Sequence, residues 1–355
     1  MNRYLSTKIE AISFLLIVMI VYLHSYSIEI KYKTESEKLE RGYNLFIQEF
    51  ISNGLCRVAL PIFFMISGYL LFINLRRFDF DIYHYKVKKR LRTILLPYFL
   101  WSLYGILLYL GLQSIPFAAN FFTNQPIVEY SKEDFLYTLL INPISYPIWF
   151  LRDLFILVII APVLYYLLKY YGLKIIILLL LTWVFEIDLI IVKFKSLPFF
   201  AIGMWLAISE PNYLLRNLSK KSWLFTLSWI LLLYIKTTVF YYRGNEDILL
   251  LIHKVSVIIG IISLWSLFDM LFLNRNIVSS RIYPLFKFAF FIFVFHEPIL
   301  TIIKKGLYFI LGYSQLKALM IYFIAPILTI IICLIVAVGL KKLSPKFYKI
   351  LTGNR

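Results

Sequence analysis

Two histidines, two arginines and a glutamate sit within or at the ends of long apolar runs, where ionisable groups are expensive and need a partner, a watery cavity or a task. His24 follows Ile17 through Leu23 without another charge. An imidazole ordinarily titrates near about 6.5 and exchanges protons around neutrality, which makes His24 the leading candidate for a general base. The bland alternative is a bundle histidine bonded to a neighbouring carbonyl. His296-Glu297 is a second candidate pair, assigned to substrate contact: a carboxylate beside an imidazole can orient it or raise its proton affinity. Adjacent helical residues diverge by about 100°, so packing alone also accounts for this pair. Arg57 opens the run to Leu70, and Arg152 follows Trp149-Phe150-Leu151. A fixed guanidinium there can hold a carboxylate, a phosphate or an oxygen that turns negative in a transition state; snorkelling to the headgroups is the alternative. Trp149 reads as an interfacial anchor or as a substrate platform.

Between two apolar runs, residues 74–92 concentrate Arg76, Arg77, Lys86, Lys88, Lys89, Arg90 and Arg92. That density can bind the phosphates of a nucleotide-like donor, or it can simply mark a cytoplasmic loop attracted to anionic lipid. Cys56 and Cys333 lie far apart with no second ligand at metal spacing, and no Asp/Glu/His cluster suggests a metal.

The elements that must position these residues follow from composition. With 61% hydrophobic and 16% charged residues, against about 25% charged in soluble domains, a soluble globular chain is excluded. At about 20 residues per crossing there is room for about ten. Apolar segments near 9–28, 55–73, 93–112, 148–168, 173–191, 197–209, 223–240, 249–273, 285–303 and 319–340 predict an all-α integral membrane protein, a bundle of about ten transmembrane helices. Because the runs are continuous rather than alternating, a strand barrel is excluded.

The first run lacks a small-residue cleavage site and is expected to stay as the first helix. Most of the 37 Lys and Arg fall on one side, which predicts both termini in the cytoplasm; Lys304, Lys305 and Lys317 run against this bias. The net charge of +18 is scattered in short segments instead of forming a face, so nucleic acid is not expected as a partner. In this topology His24, Arg57 and Arg152 lie toward outer helix ends, which lets them share an outward-facing cavity. The fifth run carries Glu186 and Asp188, read as intramembrane acids. Residues 29–54 and 113–147 read as long outer segments, and residues 1–355 as a single integral-membrane domain.

Taken together these stretches resemble the multi-pass membrane acyltransferases of the acyltransferase-3 type, which modify extracytoplasmic glycans and other acceptors. The most specific piece is Arg57 through Phe72, similar to the family's Arg, Pro, Phe-Phe and Ser-Gly-Tyr pattern. Lys89-Arg90 followed by Leu96-Pro97-Tyr98 and Trp101-Ser102, then Trp149 to Arg152, Pro198-Phe199-Phe200 with Gly203, and Phe290 to Pro298 follow in the family's order. In the family, helix one carries an arginine and, after ten intervening residues, an essential histidine; His24 matches the histidine, and Ser13 occupies the arginine position.

The resemblance implies acyl-CoA as donor substrate, acetyl-CoA by default, with its phosphates near Lys88, Lys89, Arg90 and Arg92, and no permanently bound cofactor. His24 would activate the acceptor hydroxyl or carry the acyl group, and Arg57 or Arg152 would stabilise the tetrahedral oxygen, worth roughly 2.7–4 kcal/mol for one good donor. The expected activity is O-acetylation of a surface polysaccharide or lipid-linked saccharide at a bacterial cytoplasmic membrane. A flippase for an anionic lipid-linked glycan, with Arg57, Arg152 and the acids lining its path, is the alternative. A bundle without chemistry, favoured by Ser13, is a third reading.

Overall fold

The computed structural model describes residues 2–31, 36–38, 41–73, 78–187, 195–211, 213–273, 275 and 277–354, and these are overwhelmingly helical. Arg76, Arg77 and Asp188 lie outside the described residues. Eight helices are long and apolar enough to cross a bilayer: α1 (Arg3–Ser25), α2 (Tyr43–Phe72), α3 (Phe80–Gln113), α5 (Tyr146–Tyr171), α8 (Ser219–Tyr241), α9 (Glu246–Phe272), α10 (Tyr283–Leu311) and α11 (Gln315–Leu343). Shorter pieces are α4 (Lys132–Leu140), α6 (Leu173–Val184), α7 (Leu197–Ser209) and α12 (Pro345–Leu351), with a hairpin of β1 (Glu29–Lys31) and β2 (Ser36–Lys38). At about 1.5 Å per residue, the 12 residues of α6 and 13 of α7 fall short of a hydrocarbon core of about 30 Å. Each of the ten apolar segments contains a helix, but among the described residues only eight helices reach bilayer length.

Leu227 and Leu231 on α8 and Ile331 and Ile335 on α11 are exposed, as expected of lipid-facing surfaces and not of a soluble fold. The chain is a multi-pass membrane protein.

Two segments expected as loops contain helix. The basic stretch continues from Phe80 into α3 because Asp79 caps it, its carboxylate accepting the Ile82 N–H at 2.9 Å, and because Lys and Arg favour helix. Likewise α2 begins at Tyr43, well before the apolar run, through a π-helical turn at Glu49–Gly54 and a 3₁₀ turn at Leu55–Val58. In the outer segment, a capping box joins Ser131 and Asp134: the Ser131 hydroxyl accepts the Asp134 N–H at 3.0 Å and donates to its carboxylate at 2.8 Å. The Ser131 hydroxyl first, and second the Ser131 N–H that donates to the same oxygen at 3.1 Å, hold the Asp134 carboxyl below the usual carboxylate range. Glu186 lies exposed just beyond the end of α6, bonded to Lys254 at 3.2 Å and Lys195 at 3.3 Å, with its carboxyl below its ordinary range because of Lys254 first and Lys195 second.

The contacts divide into two compact units. The first comprises Met1–Met19, Asn53–Lys89 and Asp153–Phe286; the second comprises Ile20–Ser52, Arg90–Arg152 and Lys287–Arg355.

In the first unit, α2 and α7 cross at two glycines facing each other's backbone. A Cβ on Gly68 would meet the Phe200 carbonyl, and one on Gly203 would meet the Met65 carbonyl and sit 2.9 Å from the Tyr69 nitrogen. Close approach of this kind is how membrane helices associate without a hydrophobic driving force. The obstruction is backbone, which cannot rotate aside. Gly203→Ala is therefore expected to lower stability by at least the 1–3 kcal/mol or so of an overpacked core, measured by thermal unfolding in detergent.

In the second unit, the Trp101 indole donates to the Leu351 carbonyl at 3.0 Å and Phe291 stacks on Tyr348 with centroids 5.7 Å apart, fastening α12 to α3 and α10.

Candidate active site

The site in the second unit is built on a break in α10. Pro298 has no N–H to continue the ladder and forces its predecessor toward extended geometry; Glu297 accordingly adopts φ −107°, ψ 134°. At this break the His296 Nδ1 lies 2.7 Å from the Phe293 carbonyl. A carbonyl only accepts, so Nδ1 carries the proton, and in the neutral ring Nε2 holds the lone pair. His296 is 0% exposed and Glu297 2%. Among the described residues, the His296 Nε2 and Glu297 Oε1 have no hydrogen-bond partner. Glu297 is hydrogen-bonded to Thr301 and lies within electrostatic reach of Lys304, Tyr109 and Tyr146.

His24 is brought to this break by the last turn of α1. Its ring stacks on His296 at 5.6 Å between centroids and 21° between planes, and its Nδ1 lies 2.7 Å from the Tyr146 hydroxyl. The backbone around it is tied down at three points. The Lys304 ammonium donates to the His24 carbonyl at 2.8 Å, the Ser25 hydroxyl to the Tyr322 carbonyl at 3.0 Å, and the Ser52 hydroxyl to the Tyr22 carbonyl at 2.8 Å. His24 itself is half-buried, intermediate between a core residue and an exposed one, as proton exchange with an incoming group requires.

The remaining sequence candidates separate. Arg152 is on α5 within two turns of Tyr146 and donates to the Ile141 carbonyl. Trp149 is half-buried in the same helix. Arg57 lies in the first unit, its guanidinium on the Asn53 side chain, with Nε 3.1 Å from Oδ1; the Lys236 ammonium takes the Asn53 carbonyl at 2.9 Å. Lys88, Lys89 and Arg92 are exposed and Arg90 half-buried along the N-terminal half of α3, Lys88 and Lys89 in the first unit and Arg90 and Arg92 in the second.

Two participants escaped the sequence reading. Tyr146 carries no charge and stands among many aromatics, so nothing in its neighbourhood singled it out. Lys304 left a trace as one of the lysines that run against the charge bias.

The Tyr146 hydroxyl can accept from or donate to His24 Nδ1; a lone pair at Nε2 requires Nδ1–H to be the donor and the phenol oxygen the acceptor. Tyr146→Phe is expected to reduce kcat about tenfold, the equivalent of one hydrogen bond of about 1.4 kcal/mol, with KM for both substrates nearly unchanged. Steady-state kinetics of the purified variant check this.

Residues 7–338 match the acyltransferase domain family of the acyltransferase-3 type. The chain belongs to this family and is a membrane acyltransferase. It is also similar along its whole length to the succinoglycan biosynthesis protein ExoH of Rhizobium meliloti (strain 1021), with 26% identity over 374 aligned residues covering 100% of this chain and 94% of the relative. No solved structure matches the chain.

Proposed function

We propose that the protein transfers an acyl group, most simply acetyl, from cytoplasmic acyl-CoA to a hydroxyl of a polysaccharide or its lipid-linked precursor outside a bacterial cytoplasmic membrane. The observation that carries this reading is the pair of stacked imidazoles of His24 and His296 at the α10 break, beside the buried, unpartnered His296 Nε2 and Glu297 Oε1. The family supplies acyl transfer, and the relative named for succinoglycan biosynthesis supports a polysaccharide acceptor.

In this mechanism the acceptor O–H gives its proton to His24 Nε2 as its oxygen attacks the thioester carbon, while His296 and Glu297 accept from neighbouring hydroxyls of the acceptor. The C–S bond breaks, an ester C–O bond forms, and the proton passes from His24 to the departing thiolate. Arg152, on the helix that carries Tyr146, stabilises the tetrahedral oxygen, and Trp149 offers the sugar an aromatic surface. The CoA phosphates lie along Lys88, Lys89, Arg90 and Arg92.

Purified protein in vesicles, given labelled acetyl-CoA and an oligosaccharide acceptor, is expected to produce base-labile label on the glycan. Glycan movement across the vesicle membrane without any acyl donor, and without ester formation, would favour the flippase reading.

A further inference from the structure

A cavity of about 270 Å³ opens in the first unit between the start of α1 and the end of α9, at helix ends that the charge bias assigns to the cytoplasm. Arg3 and Thr7 line it from one side, Phe268 and Phe272 from another, and Arg275 from the segment after α9. Arg3 and Arg275 are both exposed, and neither forms an ion pair among the described residues. Asp269, next in sequence to the lining Phe268, is only 2% exposed. It is already occupied by the Lys8 ammonium at 2.6 Å and the Tyr4 hydroxyl at 2.6 Å, so its charge is neutralised within the helix pair.

Two guanidinium groups facing one cavity repel each other, and an oxyanion between them converts that repulsion into attraction. Guanidinium forks match phosphate oxygens in geometry. The first turn of the 23-residue α1 adds the positive end of a helix dipole, while the phenylalanines provide an apolar floor.

We propose that this cavity is a binding site for a phosphate-bearing ligand, with Arg3 and Arg275 holding the phosphate. This site is distinct from the α3 basic stretch and does not depend on the acyl-transfer reading. The same chemistry has two sources: a free nucleotide that carries a phosphorylated ribose, or the headgroup of an anionic phospholipid.

The test uses the full chain in two arms. In nanodiscs of phosphatidylcholine alone, adenosine 3′,5′-bisphosphate is titrated against the native protein and the Arg3→Gln/Arg275→Gln variant. In the second arm, native mass spectrometry counts phosphatidylglycerol retained from mixed phosphatidylcholine/phosphatidylglycerol membranes. The expected result is at least a tenfold rise in Kd for the bisphosphate, or loss of retained phosphatidylglycerol, in the double variant; the first identifies a nucleotide ligand and the second a lipid. Both arginines are exposed, so the variant is expected to keep the native melting temperature. The Arg3→Lys/Arg275→Lys variant, which keeps charge but loses the fork, is expected to fall between the two. Lys220→Gln/Lys221→Gln, which removes two exposed cations elsewhere in the first unit, is expected to change neither readout. The proposal is overturned if the Arg3→Gln/Arg275→Gln variant behaves as the native protein in both arms, or if the lysine variant produces the same loss.

Discussion

His24→Ala is expected to lower the rate of acyl transfer by about 10²–10⁴-fold, the contribution of a well-placed general base, while the protein keeps its native melting temperature to within a few degrees. The separation of activity from stability follows from how the site is built. The bonds that fix this end of α1 use the backbone of His24 and the side chains of Ser25 and Ser52, not the imidazole. Removing the ring takes away the Tyr146 contact and the stack on His296 but leaves those ties in place. His296→Ala is expected to behave differently, because its Nδ1 bonds inside its own helix at the proline break and the ring is wholly buried. Its loss opens a cavity, and both stability and KM for the acceptor should suffer. Initial rates with labelled donor, alongside differential scanning fluorimetry of each variant, distinguish the two patterns.

The largest expected effect on stability belongs to the buried pair between α1 and α9. Lys8 is 0% exposed and Asp269 2%; the ammonium donates to Oδ1 at 2.6 Å and lies 4.2 Å from the centroid of the Trp265 ring. Truncating one partner strands the other charge in a medium that cannot solvate it, which costs about 3–5 kcal/mol. Lys8→Met alone is therefore expected to be severely destabilising. Replacing both, Lys8→Met with Asp269→Leu, removes the stranded charge along with the attraction, and such exchanges are often close to neutral. Equilibrium unfolding in mixed micelles of the two single variants and the double variant should show the double recovering most of the loss. Additive losses would mean that the two groups do not act as a pair.

Fold class was legible because continuous apolar runs of bilayer length have few other uses, and the helices lie where those runs lie. What the runs could not convey was the helix outside them. Asp79 capping and Lys/Arg-rich composition extend α3 through the basic stretch, and local polar helix carries no hydropathy signal. The resemblance in the Ser-Gly-Tyr and Pro-Phe-Phe stretches proves to be largely packing, since Gly68 and Gly203 form one crossing of α2 with α7.

For the site, His24 and His296 could be picked out as rare ionisable groups in oily surroundings. Their stacking could not, because it depends on the direction in which α10 leaves Pro298. Tyr146 was invisible for a similar reason: a phenol in a chain with 27 tyrosines acquires a role only through the partner it meets.

The central claim is transfer of an acyl group from one side of the membrane to an acceptor on the other, and sidedness tests it most directly. Sealed proteoliposomes of known orientation receive labelled acyl-CoA only on the cytoplasmic face of the protein and oligosaccharide only on the opposite face. The account predicts labelled ester on the oligosaccharide, equal in amount to the free CoA released. Ester formed only when both substrates share a compartment, or none at all with an intact acceptor and a folded protein, would contradict it.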